Sequence, residues 1–151
     1  MGKRMTSTHL YYAEKSDVES IYELAIEYKN VDLSDADYPD IDRNKLINFI
    51  NTMLKKGKIM LMKDLEKDKL IACCMFNKSE YFFSKTEIMQ IQIVYVKKDY
   101  RNFNLVKTLI DSVKKQADGL PLVLSITSGL GIDPVFQKLG FKNMGSNWRF
   151  I

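Results

Sequence analysis

Residues 87–97, Glu-Ile-Met-Gln-Ile-Gln-Ile-Val-Tyr-Val-Lys, constrain the fold more than any other segment: they are the longest strand candidate, and an amphipathic helix opens at residue 103. Alternation across a strand puts Gln90, Gln92, Val94 and Val96 on one face and Met89, Ile91, Ile93 and Tyr95 on the other. The helix over residues 103–117 gathers Leu105, Leu109, Ile110 and Val113 on one stripe and ends before Gly119-Leu120-Pro121. A strand that runs into an amphipathic helix in this way belongs to a layered α/β architecture.

The remaining segments supply the other layers. Residues 8–13 read as a first strand, and Ser16-Asp17-Val18-Glu19 has the capping-box pattern of a helix start. Val18, Ile21, Tyr22, Ala25 and Tyr28 follow at helical spacing. Residues 32–42 hold five aspartates in eleven positions, a composition suited to a loop or a short helical turn. Leu46, Phe49, Ile50, Met53 and Leu54 mark a second helix that stops at Gly57. Residues 58–63 and 70–77 read as a hairpin across the polar turn 65–69. Residues 122–126 form a short apolar strand, Asp133-Pro134 opens a short helix ending at Gly140, and residues 141–144 and 148–151 read as strand pieces around Gly145-Ser146-Asn147. The order predicts an α/β fold of the α+β type, with a mixed, mostly antiparallel sheet of about six to seven strands and helices on both faces. The length of 151 residues suits one domain over residues 8–151 behind a flexible N-terminus at residues 1–7.

Several function classes fall away on composition. The longest apolar run, residues 70–76, is seven residues, against about 20 for a membrane-spanning helix, and no apolar stretch follows the basic N-terminus as in a secretory signal. Cys73 and Cys74 are adjacent and point to opposite faces of a strand, so they predict no disulfide and a reducing, cytoplasmic setting. A single histidine, His9, with no Cys/His/Asp cluster gives no support to a metal site or to imidazole-based nucleophilic catalysis.

The net charge of +4 conceals two unlike halves, for residues 1–50 carry 6 Lys+Arg against 10 Asp+Glu and the remainder 17 against 9. The basic half concentrates at the exit of the long strand, where Lys97, Lys98, Arg101 and Lys107 surround a helix N-terminus. Outward amides at a positive helix end favour an anion, here a phosphorylated ligand; the same cations equally suit a solvated turn. Lys55, Lys56, Lys58, Lys114 and Lys115 are scattered without a nucleic-acid-binding motif, so nucleic acid is not an expected partner.

The element order, the V-x-x-x-Y-R exit at residues 96–101 and the F-x-K-L-G-F close at residues 136–141 resemble the GNAT superfamily of acyl-CoA N-acyltransferases, over residues 8–151. The resemblance implies acetyl-CoA as cofactor and direct attack of an acceptor amine on the thioester, without a covalent enzyme intermediate. It places the pyrophosphate on a Q/R-x-x-G-x-G/A loop, matched here by Arg101, Asn104 and Val106 with Asn102, Phe103, Leu105 and Lys107 around them, and the pantetheine arm along Val94 to Val96. Family members carry glycine at the Asn104 position and glycine or alanine at the Val106 position. An asparagine and a thiolate-protonating tyrosine map to Gly129 and Phe136, and a carboxylate base maps to Gln90. Candidate proton-handling residues are therefore Glu87, Gln90 and Tyr95, with Tyr100 and Tyr12 as further phenols. The acceptor surface falls on Asp32, Asp35, Asp37 and Tyr38, with Asp40 and Asp42 alongside, and predicts a cationic amine, on a small molecule or a protein. Two alternatives stand beside this: a solvated acidic loop that caps the second helix, and an inactive GNAT-like domain serving as a binding or structural subunit of an oligomer or larger assembly, such as a viral particle.

Overall fold

The computed structural model describes residues 7–34, 38–124 and 133–144. Its elements are β1 (Thr8–Tyr12), α1 (Val18–Asp32), α2 (Arg43–Lys56), β2 (Lys58–Asp64), β3 (Lys69–Glu80), β4 (Glu87–Val96), α3 (Phe103–Ala117), β5 (Leu122–Leu124) and α4 (Asp133–Lys138). The sheet order is β1-β2-β3-β4-β5, with antiparallel pairing from β1 to β4 and a parallel step to β5. Five strands thus stand among the described residues, against the six to seven expected.

Two expected strands bear on that difference. Residues 148–151 lie outside the described residues, as do residues 1–6, 35–37 and Gly129. Residues 141–144 are described and form no strand. Phe141 N–H instead closes the end of α4 on Phe136 O at 3.0 Å, with Gly140 at φ +91° supplying the left-handed residue this stop needs.

The expected capping box at Ser16 to Glu19 is displaced. A 3-10 turn, Lys15–Asp17, precedes α1, and the Asp17 carboxylate accepts the Glu14 N–H at 2.8 Å. The cap therefore serves the extra turn, two residues before the predicted position.

The helices form two layers. Val18, Ile21 and Leu24 of α1 and Ile50 and Met53 of α2 cover one face of the sheet, against Ile59, Leu61, Cys73, Met75 and Tyr95. On the other face α3 buries Leu105, Val106, Leu109, Ile110 and Val113 against Met60, Met62, Cys74, Phe76, Met89 and Ile91, and α4 adds Phe136. The cysteines point to opposite faces as expected, and burial pushes the Cys73 thiol up to about 12.

Alternation along β4 does not persist from end to end. Met75 of β3 pairs with Ile93 and the next residue, Phe76, with Ile91, so Gln92 is an inserted residue, a β-bulge. Past this point the faces exchange: Met89 and Ile91 lie in the α3 layer together with Val94 and Val96, while Ile93 and Tyr95 join the α1 and α2 layer. The predicted grouping of Met89, Ile91, Ile93 and Tyr95 on one face is corrected by this single residue.

Where α2 gives way to β2, a Cβ on Gly57 would stand 2.7 Å from Phe76 O, a close approach that only glycine permits.

Candidate active site

The site grows from the C-terminal end of β4. Lys97 N–H continues the ladder to Ile71 O at 2.9 Å, and a 3-10 turn, Lys98–Tyr100, then reverses the chain. Arg101 folds back: its Nε donates to Val96 O at 2.8 Å and its guanidinium bonds the Asp32 carboxylate while lying 5.5 Å from the Tyr95 ring. Asn102 caps α3, its side-chain oxygen accepting the Leu105 N–H at 2.9 Å, and Val106 N–H makes the first helical bond, to Asn102 O, at 3.1 Å. The Phe103 and Asn104 amides open the helix and have no acceptor among the described residues, which leaves two N–H donors at the positive end of a helix.

The departures from glycine take a different meaning in this geometry. Among the described residues other than glycine only Asp68 and Asp118 have positive φ, so Asn104 and Val106 lie in ordinary helical backbone. The Val106 side chain is 1% exposed and packs into the α3 layer, turned away from the open amides.

Three of the four cations at this exit are engaged. Lys97 pairs with Glu27 at 3.2 Å, Arg101 with Asp32, and Lys107 with Asp111 one turn on. Lys98 is exposed, without an ion-pair partner among the described residues. A further cation arrives that the sequence reading did not single out: Lys138 of α4 stands 5.5 Å from the Phe103 ring. Its signal was the lysine of the F-x-K-L-G-F close.

The other candidates are dispersed. Glu87 opens β4, about 30 Å of strand away from Val96 at the usual rise per residue. Gln90 Nε2 donates to Val123 O at 3.1 Å and to Ile91 O at 3.2 Å, tying β4 to β5. Tyr100 donates its hydroxyl to Asp64 at 2.6 Å, which holds that phenol up to about 12 and the carboxyl of Asp64 below its usual range. Tyr12 is 41% exposed on the first strand, and Phe136 packs edge-on against Phe141.

Tyr95 occupies a distinct setting. Its ring is 5% exposed and meets Tyr28 edge-on at 5.1 Å, and burial first, then the charges of Glu27 and Asp32, push its pKa up to about 12. The phenol is protonated at neutral pH. In the acidic segment Asp42 caps α2 through the Lys45 N–H at 2.9 Å, Asp40 lies 3.4 Å from Lys29, and Tyr38 is 39% exposed, while Asp35 and Asp37 fall outside the described residues.

Over residues 18–141 the sequence matches the acetyltransferase (GNAT) family. The chain belongs to this family. No curated protein sequence matches it. Among solved structures it is similar to a ribosomal-protein-alanine N-acetyltransferase from Brucella melitensis biovar Abortus 2308, at 13% identity and TM-score 0.73 over 96% of this chain and 97% of that one. A predicted acetyltransferase from Clostridium acetobutylicum, solved with acetyl-CoA, has 18% identity and TM-score 0.72 over 96% of each chain. An aminoglycoside 6'-N-acetyltransferase from Acinetobacter baumannii has 14% identity and TM-score 0.72 over 96% and 97%. At these identities the fold is what is shared.

GNAT proteins use acetyl-CoA, and the α3 terminus fits its pyrophosphate: two amides are open, Val106 is turned into the core, and Asn104 is exposed. Lys98, in the turn before α3, and Lys138, over the Phe103 ring, have no ion-pair partner among the described residues.

Proposed function

We propose that this GNAT chain transfers an acetyl group from acetyl-CoA to an amine of a cationic small molecule or protein. The observation that carries the reading is the exit of β4 into α3, where the Phe103 and Asn104 amides stay unclaimed beside a bulged strand. Backbone donors at a helix start bind phosphate oxygens by charge and direction together. Lys98 and Lys138 add attraction, and β4 from Val94 to Val96 offers its backbone to the pantetheine arm.

When bound, acetyl-CoA supplies an activated acetyl thioester. The acceptor nitrogen forms the C–N bond as the C–S bond breaks; of the two protons an ammonium must lose, one reaches the sulfur and one is released to water. Arg101 fixes the Val96 carbonyl and Asp32, and so holds the end of the cofactor strand against the end of α1. Among the described phenols Tyr95 has both burial and a retained proton, and it lies on the face covered by α1. The charge of Asp32 is balanced by Arg101, and the aspartates that follow it in sequence favour a cationic acceptor. Two of the similar structures are named for acetyl transfer to amines, of an aminoglycoside and of a ribosomal-protein alanine.

A second reading is favoured by Phe136 and Gln90, which carry no acid or base where the family carries both: a chain that binds the coenzyme but serves as a binding or structural subunit. The experiment combines two measurements. Acetyl-CoA at 100 times its dissociation constant should stabilise the fold by about 2.7 kcal/mol; release of free thiol with an amine panel separates turnover from binding alone. No thermal shift at millimolar acetyl-CoA overturns the transferase reading and the second one together.

A further inference from the structure

Tyr81, Phe82 and Phe83 follow one another at the tip of the hairpin that joins β3 to β4, and all three are exposed, Tyr81 by 38%, Phe83 by 73% and Phe82 in full. Hydrogen bonds and ring contacts hold the tip in one shape. Ser84 N–H donates to Tyr81 O at 3.1 Å, Thr86 N–H to Ser84 Oγ at 3.1 Å, and the Ser84 hydroxyl to Thr86 Oγ1 at 3.0 Å. Tyr81 stacks on Phe83 with ring centroids 5.4 Å apart, and Phe82 meets Phe83 edge-on at 5.2 Å. Rings fixed in this way have already lost much of the freedom that binding otherwise takes. Counted at about 150–250 Å² for a whole aromatic side chain, they expose roughly 300–500 Å² in one patch. That matches the largest patches monomers ordinarily expose, which are commonly binding surfaces.

We propose that this tip joins two copies of the chain, end to end about a two-fold axis. The charges around the rings name the occupant. Lys78, Glu80, Lys85 and Glu87 are exposed and have no ion pair among the described residues, two of each sign. Glu80 and Glu87 stand directly opposite each other across the two strands, a like-charge pair that opposes the strand pairing it sits on. These carboxylates repel a surface of phosphates, so neither an anionic bilayer nor a nucleic acid suits the tip. A second copy brings what they lack: the two-fold sets Lys78 and Lys85 of each copy against Glu80 and Glu87 of the other while the rings close on one another. Facing patches bury roughly 600–1,000 Å² from the rings, and the flanking side chains carry the contact to the low end of specific interfaces, about 1,200 Å². The dimer is therefore weak and concentration-dependent. Glu87 opens β4 at the end opposite Val96, so both α3 termini stay open to coenzyme, and the proposal is independent of the transferase reading.

Sedimentation equilibrium of the full chain from roughly 5 to 500 µM, where interfaces this small dissociate, should show the mass rising from monomer towards dimer. Phe82→Ser with Phe83→Ser, at exposed positions, should keep the melting temperature and weaken the dimer by about tenfold or more. Two charge variants test the complementarity. Lys78→Glu with Lys85→Glu, and Glu80→Lys with Glu87→Lys, should each stay monomeric alone, and an equimolar mixture of the two should dimerise. Monomer throughout the range overturns the proposal. So does a dimer that survives the two serine substitutions, which lies on another surface, or a mixture no more associated than its parts. Vesicles of phosphatidylcholine with phosphatidylglycerol test the other occupant: a chain that stays monomeric but sediments with them, and ceases to do so with Phe82→Ser and Phe83→Ser, assigns the tip to lipid and overturns the pairing of copies.

Discussion

Arg101 and Asp32, 69 positions apart in the chain, form an ion pair that fastens the turn after β4 to the last residue of α1. The carboxylate is buried and the guanidinium is three-quarters covered, so neither partner can be removed without stranding the other. Arg101→Ala should lower stability by about 3 kcal/mol, the lower end for breaking a buried pair, and Arg101→Lys should recover less than half. Urea unfolding of both variants reads this directly, and restoration by Arg101→Lys to the parent value would contradict the two-contact role of the guanidinium.

Restoring the family residues should not improve the cofactor site. Val106 fills the α3 layer, so Val106→Gly should cost about 2–4 kcal/mol through a core cavity and a helix glycine, with acetyl-CoA affinity unchanged within threefold among folded molecules. Asn104→Gly, at an exposed helical position, should cost about 1 kcal/mol. Calorimetric titration checks both; a tenfold gain in affinity for either would show that these side chains do obstruct the phosphates.

The Asp64 and Tyr100 pair predicts a pH dependence. Asp64 is 2% exposed and accepts from the Tyr100 hydroxyl and from the Glu66 and Lys67 amides, which together hold its carboxyl below the usual value of 3.8. A depressed carboxyl stabilises the fold above its unfolded pKa, and that contribution is lost as pH falls through the folded one. Tyr100→Phe should therefore melt roughly 2–4 °C lower at pH 7, with the gap closing as pH falls through the lowered folded pKa of Asp64 and the carboxyl protonates. Melting curves from pH 2.5 to 7 decide this, and a gap independent of pH would contradict it.

Gly57→Ala should be disruptive despite the conservative change. The added Cβ meets a backbone carbonyl 2.7 Å away, which has no rotamer with which to yield, so a loss of about 1–3 kcal/mol is expected. Chemical denaturation measures it, and a neutral result would place the α2 to β2 junction differently.

Much of the layering was legible from periodicity, because apolar stripes at 3.6 and 2.0 residues report which faces are covered. The apolar stripe of α1, the bounds of α3 and the antiparallel hairpin of β2 and β3 follow from that alone. What was not legible is register. Met89, Ile91, Ile93 and Tyr95 alternate faultlessly in sequence, and nothing local announces that Gln92 is left out of the pairing; the bulge is set by β3, a strand more than ten residues away. Arg101 was legible as a cation near a helix start, but its actual partner lies across the sheet, and charge pairs at such separation leave no local signature. Tyr95 drew attention only as one tyrosine among several, and its distinction comes from the tertiary contacts that bury it.

The bulge at Gln92 also makes the two halves of β4 independent in phase. Residues before it obey one alternation, answering to α3 and β5; residues after it obey the other, so that Tyr95 is delivered beneath α1 while Val94 and Val96 keep to the α3 side. Were all these residues paired without the register shift, Tyr95 would fall on the α3 side with Met89 and Ile91, away from Asp32. The irregularity in the strand is thus what allows one continuous element to present Met89 and Ile91 to α3 at its start and Tyr95 to α1 at its end.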